Sequence, residues 1–184
     1  MDRDAVLLFL SLLALSAQLA TAAAIVVAIG GRRTANARAW LIDVVGPHAT
    51  LLALVVATVA MSGSLYLSYV AHFTPCVLCW YQRIAMYPMV VLFAVALRRA
   101  EDISPYTLVL AGIGGTISIY HMLLERFPSL ETDTCDPANP CSLIWTERFG
   151  YLTIPTMALS AFALIATLML LGRASLRAAG EERP

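Results

Sequence analysis

At 184 residues, 60% of them hydrophobic and only 13% charged, the chain has about half the roughly one-quarter charged fraction of a soluble domain. With a mean hydropathy of +0.78, its 12 arginines balance 12 acidic residues and there is no lysine, which excludes the basic footprint of a nucleic-acid binder. The length is that of one domain, whose core consists of helices packed within lipid.

Five stretches are apolar over the ~20 residues that a helix needs to cross a hydrocarbon core: 5–30, 49–71, 80–97, 103–124 and 149–172. Only the third carries a charge, Arg83, close to its start. The expected fold is therefore an all-α membrane protein with five transmembrane helices. The first stretch is read as a retained helix. Its leading segment is net acidic, and its apolar run far exceeds the roughly 7–15 residues of a signal peptide.

Arginine sets the orientation. Arg32, Arg33 and Arg38 follow the first helix, Arg98 and Arg99 the third, and Arg173, Arg177 and Arg183 the fifth, so one side carries most of the positive charge. On the other side, Arg3, Arg126 and Arg148 are offset by Asp2, Asp4, Glu125, Glu131, Asp133, Asp136 and Glu147. The N-terminus is expected outside and the C-terminus inside. Both cysteine pairs, Cys76/Cys79 and Cys135/Cys141, then face the outer compartment, where disulfides persist.

In TPCVLCWYQR (74–83), Pro75 can start a helix and Cys79 falls in its first turn, where free N–H groups and the helix dipole favour a thiolate. Arg83 follows one turn later on the same face. It can lower a thiol pKa or hold an anionic or carbonyl-bearing ligand, or it can snorkel to the interface. An inert disulfide is a weak reading of this pair, since closing so short a loop contributes only about 2 kcal/mol, against about 3 for fifteen residues. Metal ligation is a second alternative: four thiolates can bind zinc, but a closed structural site outside the cell is unusual, and no spare histidine or carboxylate completes an obvious copper site. Redox chemistry fits best.

The second pair brackets CDPANPC (135–141), whose Asp-Pro and Asn-Pro steps form turns. An exposed turn would let a soluble partner reach both sulfurs; a structural loop clip is the alternative. His121, on an apolar helix background, suits a proton relay or a hydrogen bond to a ligand carbonyl, or simply an interfacial position. Trp80, Tyr81, Tyr87 and Tyr120 fit an aromatic belt, although any of them can flank a flat ring. Gly112, Gly114 and Gly115 suggest close helix packing. His48 and His72 are read as interfacial.

With PCVLCWYQRIAMYP, YHMLLERFPS, CDPANPC and FGYLTIPTMALSAF in this order, residues 49–172 resemble the DsbB family of disulfide-bond formation proteins, especially its BdbC-type branch. The resemblance implies a four-helix transmembrane bundle over 49–172 with a quinone, ubiquinone or menaquinone, at its outer end. Residues 1–48 would add one N-terminal transmembrane helix and its cytoplasmic connection, and 173–184 a cytoplasmic tail. Cys79 matches the quinone-proximal thiol, Cys76 its partner, Arg83 the arginine beside the quinone and His121 a histidine near it. Cys135 matches the cysteine that forms a mixed disulfide with a thioredoxin-like, DsbA-like extracytoplasmic thiol oxidase, and Cys141 its resolving mate. The chain departs from the family pattern in the added helix and in the close spacing of its second pair.

The resemblance further implies a multi-pass enzyme of the bacterial cytoplasmic (inner) membrane that draws electrons from that partner and passes them to membrane quinone. Two other readings are a vitamin K epoxide reductase-like protein and a membrane scaffold with two static bridges. In the first of these the CxxC follows the loop pair, whereas here it precedes it.

Overall fold

The ends of the long helices lie where the sequence provides for them. In the computed structural model, which describes residues 3–131 and 135–181, these helices are α1 (Arg3–Ile29), α3 (Ala49–Tyr69), α4 (Val77–Arg99), α5 (Ser104–Arg126) and α6 (Ile154–Glu181), with a short α2 (Ala35–Trp40) between the first two. Asp2, Asp133 and Arg183, part of the expected charge asymmetry, lie outside the described residues. Five helical segments are long and apolar enough to cross a membrane, as the sequence predicts. Among the described residues there is no strand, only the isolated bridges Asp136–Asn139 and Arg148–Leu152.

Cys76, in extended backbone after Pro75, is the N-cap of α4, and Arg98 and Arg99 in the last turn face its negative dipole end. Ala100 ends the helix in the left-handed region at φ 53°. Ahead of α5, the Asp102 carboxylate accepts the Ser104 N–H at 2.9 Å and the Ser104 hydroxyl. Partial burial raises the Asp102 pKa, but these two hydrogen bonds outweigh it and hold the carboxyl below its ordinary value.

Residues 31–48, which join the first two long helices, wind through 3-10, α and π turns into α3. Pro47 has no N–H to donate, and the ladder before it widens to a π turn at Leu41–Val45. The last helix begins at Ile154 rather than 149. Phe149 and Gly150 both take positive φ, and Arg148 and Leu152 close a tight turn through backbone hydrogen bonds of 3.0 and 2.8 Å.

The helices pack through small residues. Ala49, Ala53 and Ala57 repeat every fourth position on α3 and are buried with Met89, Phe93, Phe162, Ile165 and Met169. Gly114 marks the closest approach of α5 to α6, since a Cβ there would sit 2.2 Å from Phe162 Cζ. Of the other two glycines in that patch, Gly112 faces open space and a Cβ at Gly115 would make only ordinary contact. α1 buries one narrow stripe, Val6, Leu7, Ser11, Ala14 and Ala17, and exposes the rest of its apolar surface as a lipid-facing helix does.

Candidate redox centre

Pro75 is unable to continue a helix backward, so α4 starts at the CxxC and the sulfur of Cys76 occupies its capping position, accepting the Cys79 N–H at 3.4 Å. This differs from the expectation that the helix end serves Cys79. The Cys76 and Cys79 sulfurs are 3.2 Å apart and both thiols are free. The Cys76 pKa is lowered well below its ordinary value. The Cys79 thiol hydrogen bond acts most strongly and burial opposes it, while His121 and the Cys79 N–H add to the lowering.

The loop pair is a disulfide, with Cα atoms 5.9 Å apart. Instead of standing at an exposed mouth, it is folded down onto the bundle, with Cys135 7% and Cys141 1% exposed. Two polar ties explain the difference. Asn139 Nδ2 donates to the Pro75 carbonyl at 3.1 Å, and Glu131 accepts the Cys141 N–H at 2.5 Å and the Ser142 hydroxyl at 2.7 Å. Phe73 stacks on Trp145, ring centroids 5.0 Å apart, and draws the flanking segments together. Cys76, Cys135 and Cys141 thereby share one buried cluster with Leu78 and Leu124.

His121 stands at this junction. Its Nε2 is 3.7 Å from Cys76 Sγ and 3.0 Å from the Cys141 carbonyl oxygen, and its Nδ1 is buried with no partner among the described residues. The donor atoms of Cys76, Cys79 and His121 lie within 4.8 Å of one another.

On the other side of Cys79 is a cavity of about 290 Å³ between α1, α3, α4 and α6. Cys79, Gln82, Arg83 and Tyr87 line it, and Cys76 and His121 do not. Arg83 makes its hydrogen bonds to α3. Its Nε–H donates to Ser64 Oγ at 2.9 Å, and its Nη2 donates to the Ser64 carbonyl at 3.1 Å and to the Ser68 hydroxyl. Its guanidinium lies 5.1 Å from the Trp80 ring centroid. Ser64 also accepts from the Tyr87 hydroxyl at 3.2 Å. The Nη1 hydrogens have no acceptor among the described hydrogen bonds, and Gln82 Nε2 is buried without a partner. The cavity is thus lined at one end by an arginine with free N–H groups, close to a thiol.

Sequence reasoning missed Ser64, Ser68, Gln82, Glu131 and Asn139. Polar residues one turn apart in an apolar span, as at 64 and 68, are a usable signal for a buried polar anchor. Glu131 and Asn139 carry none, because loop closure alone brings them to the site.

A family profile described as "Disulfide bond formation protein DsbB" matches residues 46–171. The chain belongs to the DsbB family. Over 119 residues it is 44% identical to disulfide bond formation protein C of Bacillus subtilis, covering 64% of this chain and 86% of that one. It is 40% identical over 124 residues to a probable disulfide formation protein of Oceanobacillus iheyensis, covering 66% and 86%. A probable disulfide formation protein of Chlamydia trachomatis is 41% identical over 116 residues, covering 61% and 82%. No solved structure matches. As a DsbB-family member with five apolar helices, the chain is a membrane disulfide oxidoreductase. The profile begins just before α3, so α1 and α2 lie outside it.

Proposed function

We propose that this protein reoxidises a thioredoxin-like extracytoplasmic thiol oxidase and delivers the electrons through Cys135–Cys141 and Cys76–Cys79 to a membrane quinone. Residues 49–172 carry the relay in the cytoplasmic membrane, with the N-terminus and both pairs on the outer side. The observation that carries this reading is the two-sided placement of the CxxC. Cys76 packs on the loop pair, while Cys79 opens onto a cavity that Arg83 also lines.

A partner thiolate attacks Cys135, the less buried residue of the pair, and the Cys135–Cys141 bond breaks with Cys141 leaving as thiolate. The partner's second thiolate then releases Cys135, so the partner gains a disulfide and the loop pair holds two electrons. Next, Cys141 attacks Cys76 of the oxidised CxxC and frees Cys79 as a thiolate at the cavity. Cys135 resolves the Cys141–Cys76 bond and restores the loop disulfide. His121, between Cys76 and the Cys141 backbone, carries the proton that these exchanges release and take up.

Quinone, when bound, accepts two electrons and two protons. The cavity fits such a ring because Arg83, which lines it, keeps its Nη1 hydrogens to give a carbonyl oxygen, and Met86 and Phe162 supply apolar walls. The two α3 serines hold the Arg83 fork in place beforehand. The test is anaerobic oxidation of a reduced thioredoxin-like protein by purified enzyme, with and without quinone. Stoichiometric turnover only with quinone supports the relay. Turnover that ignores quinone overturns it.

A further inference from the structure

The added N-terminal helix faces the cavity. The void follows α3 from Ser68 to Val55, about 20 Å of helix at roughly 1.5 Å per residue. Its outer end is polar, at Ser64, Ser68 and Arg83, and its inner end is apolar, at Val55, Val56 and Leu164. Such a cavity matches an amphiphile with a polar ring and a hydrocarbon tail. The missing side between α3 and α6 is supplied by Leu10, Leu13, Ala14 and Ala17 of α1, none of which lies in the family-matched region.

α1 is held there by specific contacts. Gln18 Nε2 donates to Ser160 Oγ at 2.9 Å, and its Oε1 accepts the Tyr151 hydroxyl at 2.8 Å, so one side chain joins α1 to both α6 and the turn before it. Leu10 lies over Gly63, where a Cβ would come within 3.0 Å of Leu10 Cδ2. Arg148 pairs with Asp4 at 3.1 Å near the outer end. Ala14 and Ala17 are small and buried (6% and 8% exposed), so the wall leaves a channel rather than filling it.

We infer that α1 is a specificity wall for the hydrocarbon tail of the quinone. It closes the α3–α6 groove into a channel that holds a long isoprenoid chain. This inference rests on the quinone reading above. Ala14→Phe and Ala17→Phe narrow the channel, Leu13→Ala removes part of the wall without crowding, and Leu19→Phe alters the exposed face of α1 as a control.

Binding to oxidised, detergent-purified protein is measured by tryptophan quenching, with menaquinone bearing its full isoprenoid tail and with tailless menadione. The preference for the tailed compound falls about tenfold in Ala14→Phe and Ala17→Phe and about threefold in Leu13→Ala, and Leu19→Phe retains the wild-type preference. The ratio of kcat/KM for the two quinones follows the same order. An unchanged preference in all three wall variants overturns the inference, as does a parallel loss of both ligands. If wild-type protein binds neither quinone yet still exchanges disulfides with its partner, the quinone reading itself falls, and the wall with it.

Discussion

The Nε2 of His121 lies 3.7 Å from the sulfur of Cys76 and 3.0 Å from the carbonyl oxygen of Cys141. One imidazole from α5 therefore touches both cysteine pairs, which come from different segments of the chain. As the proton carrier for the exchange, it predicts a kinetic defect confined to that step. His121→Asn slows electron transfer from the loop pair to the CxxC by about a hundredfold or more, the low end of general acid–base contributions. Rapid quenching with alkylation follows the two pairs separately. Equal transfer rates in wild type and variant would leave His121 a packing residue.

The capping position of Cys76 predicts an asymmetry within the CxxC. An ordinary thiol titrates near 8.5, and the lowered Cys76 pKa keeps it a thiolate below that pH. The pH midpoint for Cys76 alkylation in the reduced protein falls below the ordinary value. Cys79→Ala, which removes the principal hydrogen bond, moves it up, and His121→Ala moves it up by less. The sign for stability follows. The ionised Cys76 stabilises the reduced fold above the ordinary thiol pKa, and this contribution is lost as pH falls through the lowered value. Melting of the reduced protein across that window, compared with Cys76→Ala, checks it.

Arg83 is expected to have two effects, since it joins α4 to Ser64 and Ser68 of α3 and also faces the cavity. Arg83→Met weakens quinone binding by roughly 1.5–3 kcal/mol, ten- to a hundredfold, the range for a hydrogen bond from a charged group. It also lowers the unfolding midpoint, because the two α3 serines lose their partner. Arg83→Lys restores charge without the planar fork and recovers both only in part. Wild-type quinone affinity with a reduced midpoint would assign Arg83 to structure alone.

The difference in burial between the loop cysteines orders their roles. Cys135 is the more accessible, and the Cys141 N–H is held by Glu131. Cys141→Ser accumulates a mixed disulfide between Cys135 and the partner, whereas Cys135→Ser accumulates little. Non-reducing gels read the difference. In intact, reduced cells an impermeant maleimide labels Cys135 in the Cys141→Ser background. Labelling only after permeabilisation would reverse the orientation.

Gly114 beneath Phe162 is a packing prediction independent of the chemistry. Gly114→Ala places a methyl where the ring now sits and destabilises by about 1–3 kcal/mol. Phe162→Leu in the same chain recovers part of the loss, a positive coupling that a double-mutant cycle measures. Simple additivity would show that the ring moves aside freely.

Much of the molecule was written in local sequence. The five spans, the start of α4 after Pro75 and the two close cysteine pairs were legible because each depends on composition or on neighbours within a turn. Arg83 was legible as a residue of interest, but not its serine partners, which lie 15 and 19 positions earlier on another helix.

By itself, then, the sequence determined an all-α membrane protein of the DsbB type, the course of its apolar spans and the presence of two close cysteine pairs. Tertiary structure decided which sulfur caps the helix, that the loop pair is buried and that His121 lies between the pairs rather than in the cavity. It also decided that α1 lines one side of that cavity. Each of these depends on contacts between segments far apart in the chain, and neither hydrophobic periodicity nor motif spacing records which faces of packed helices meet.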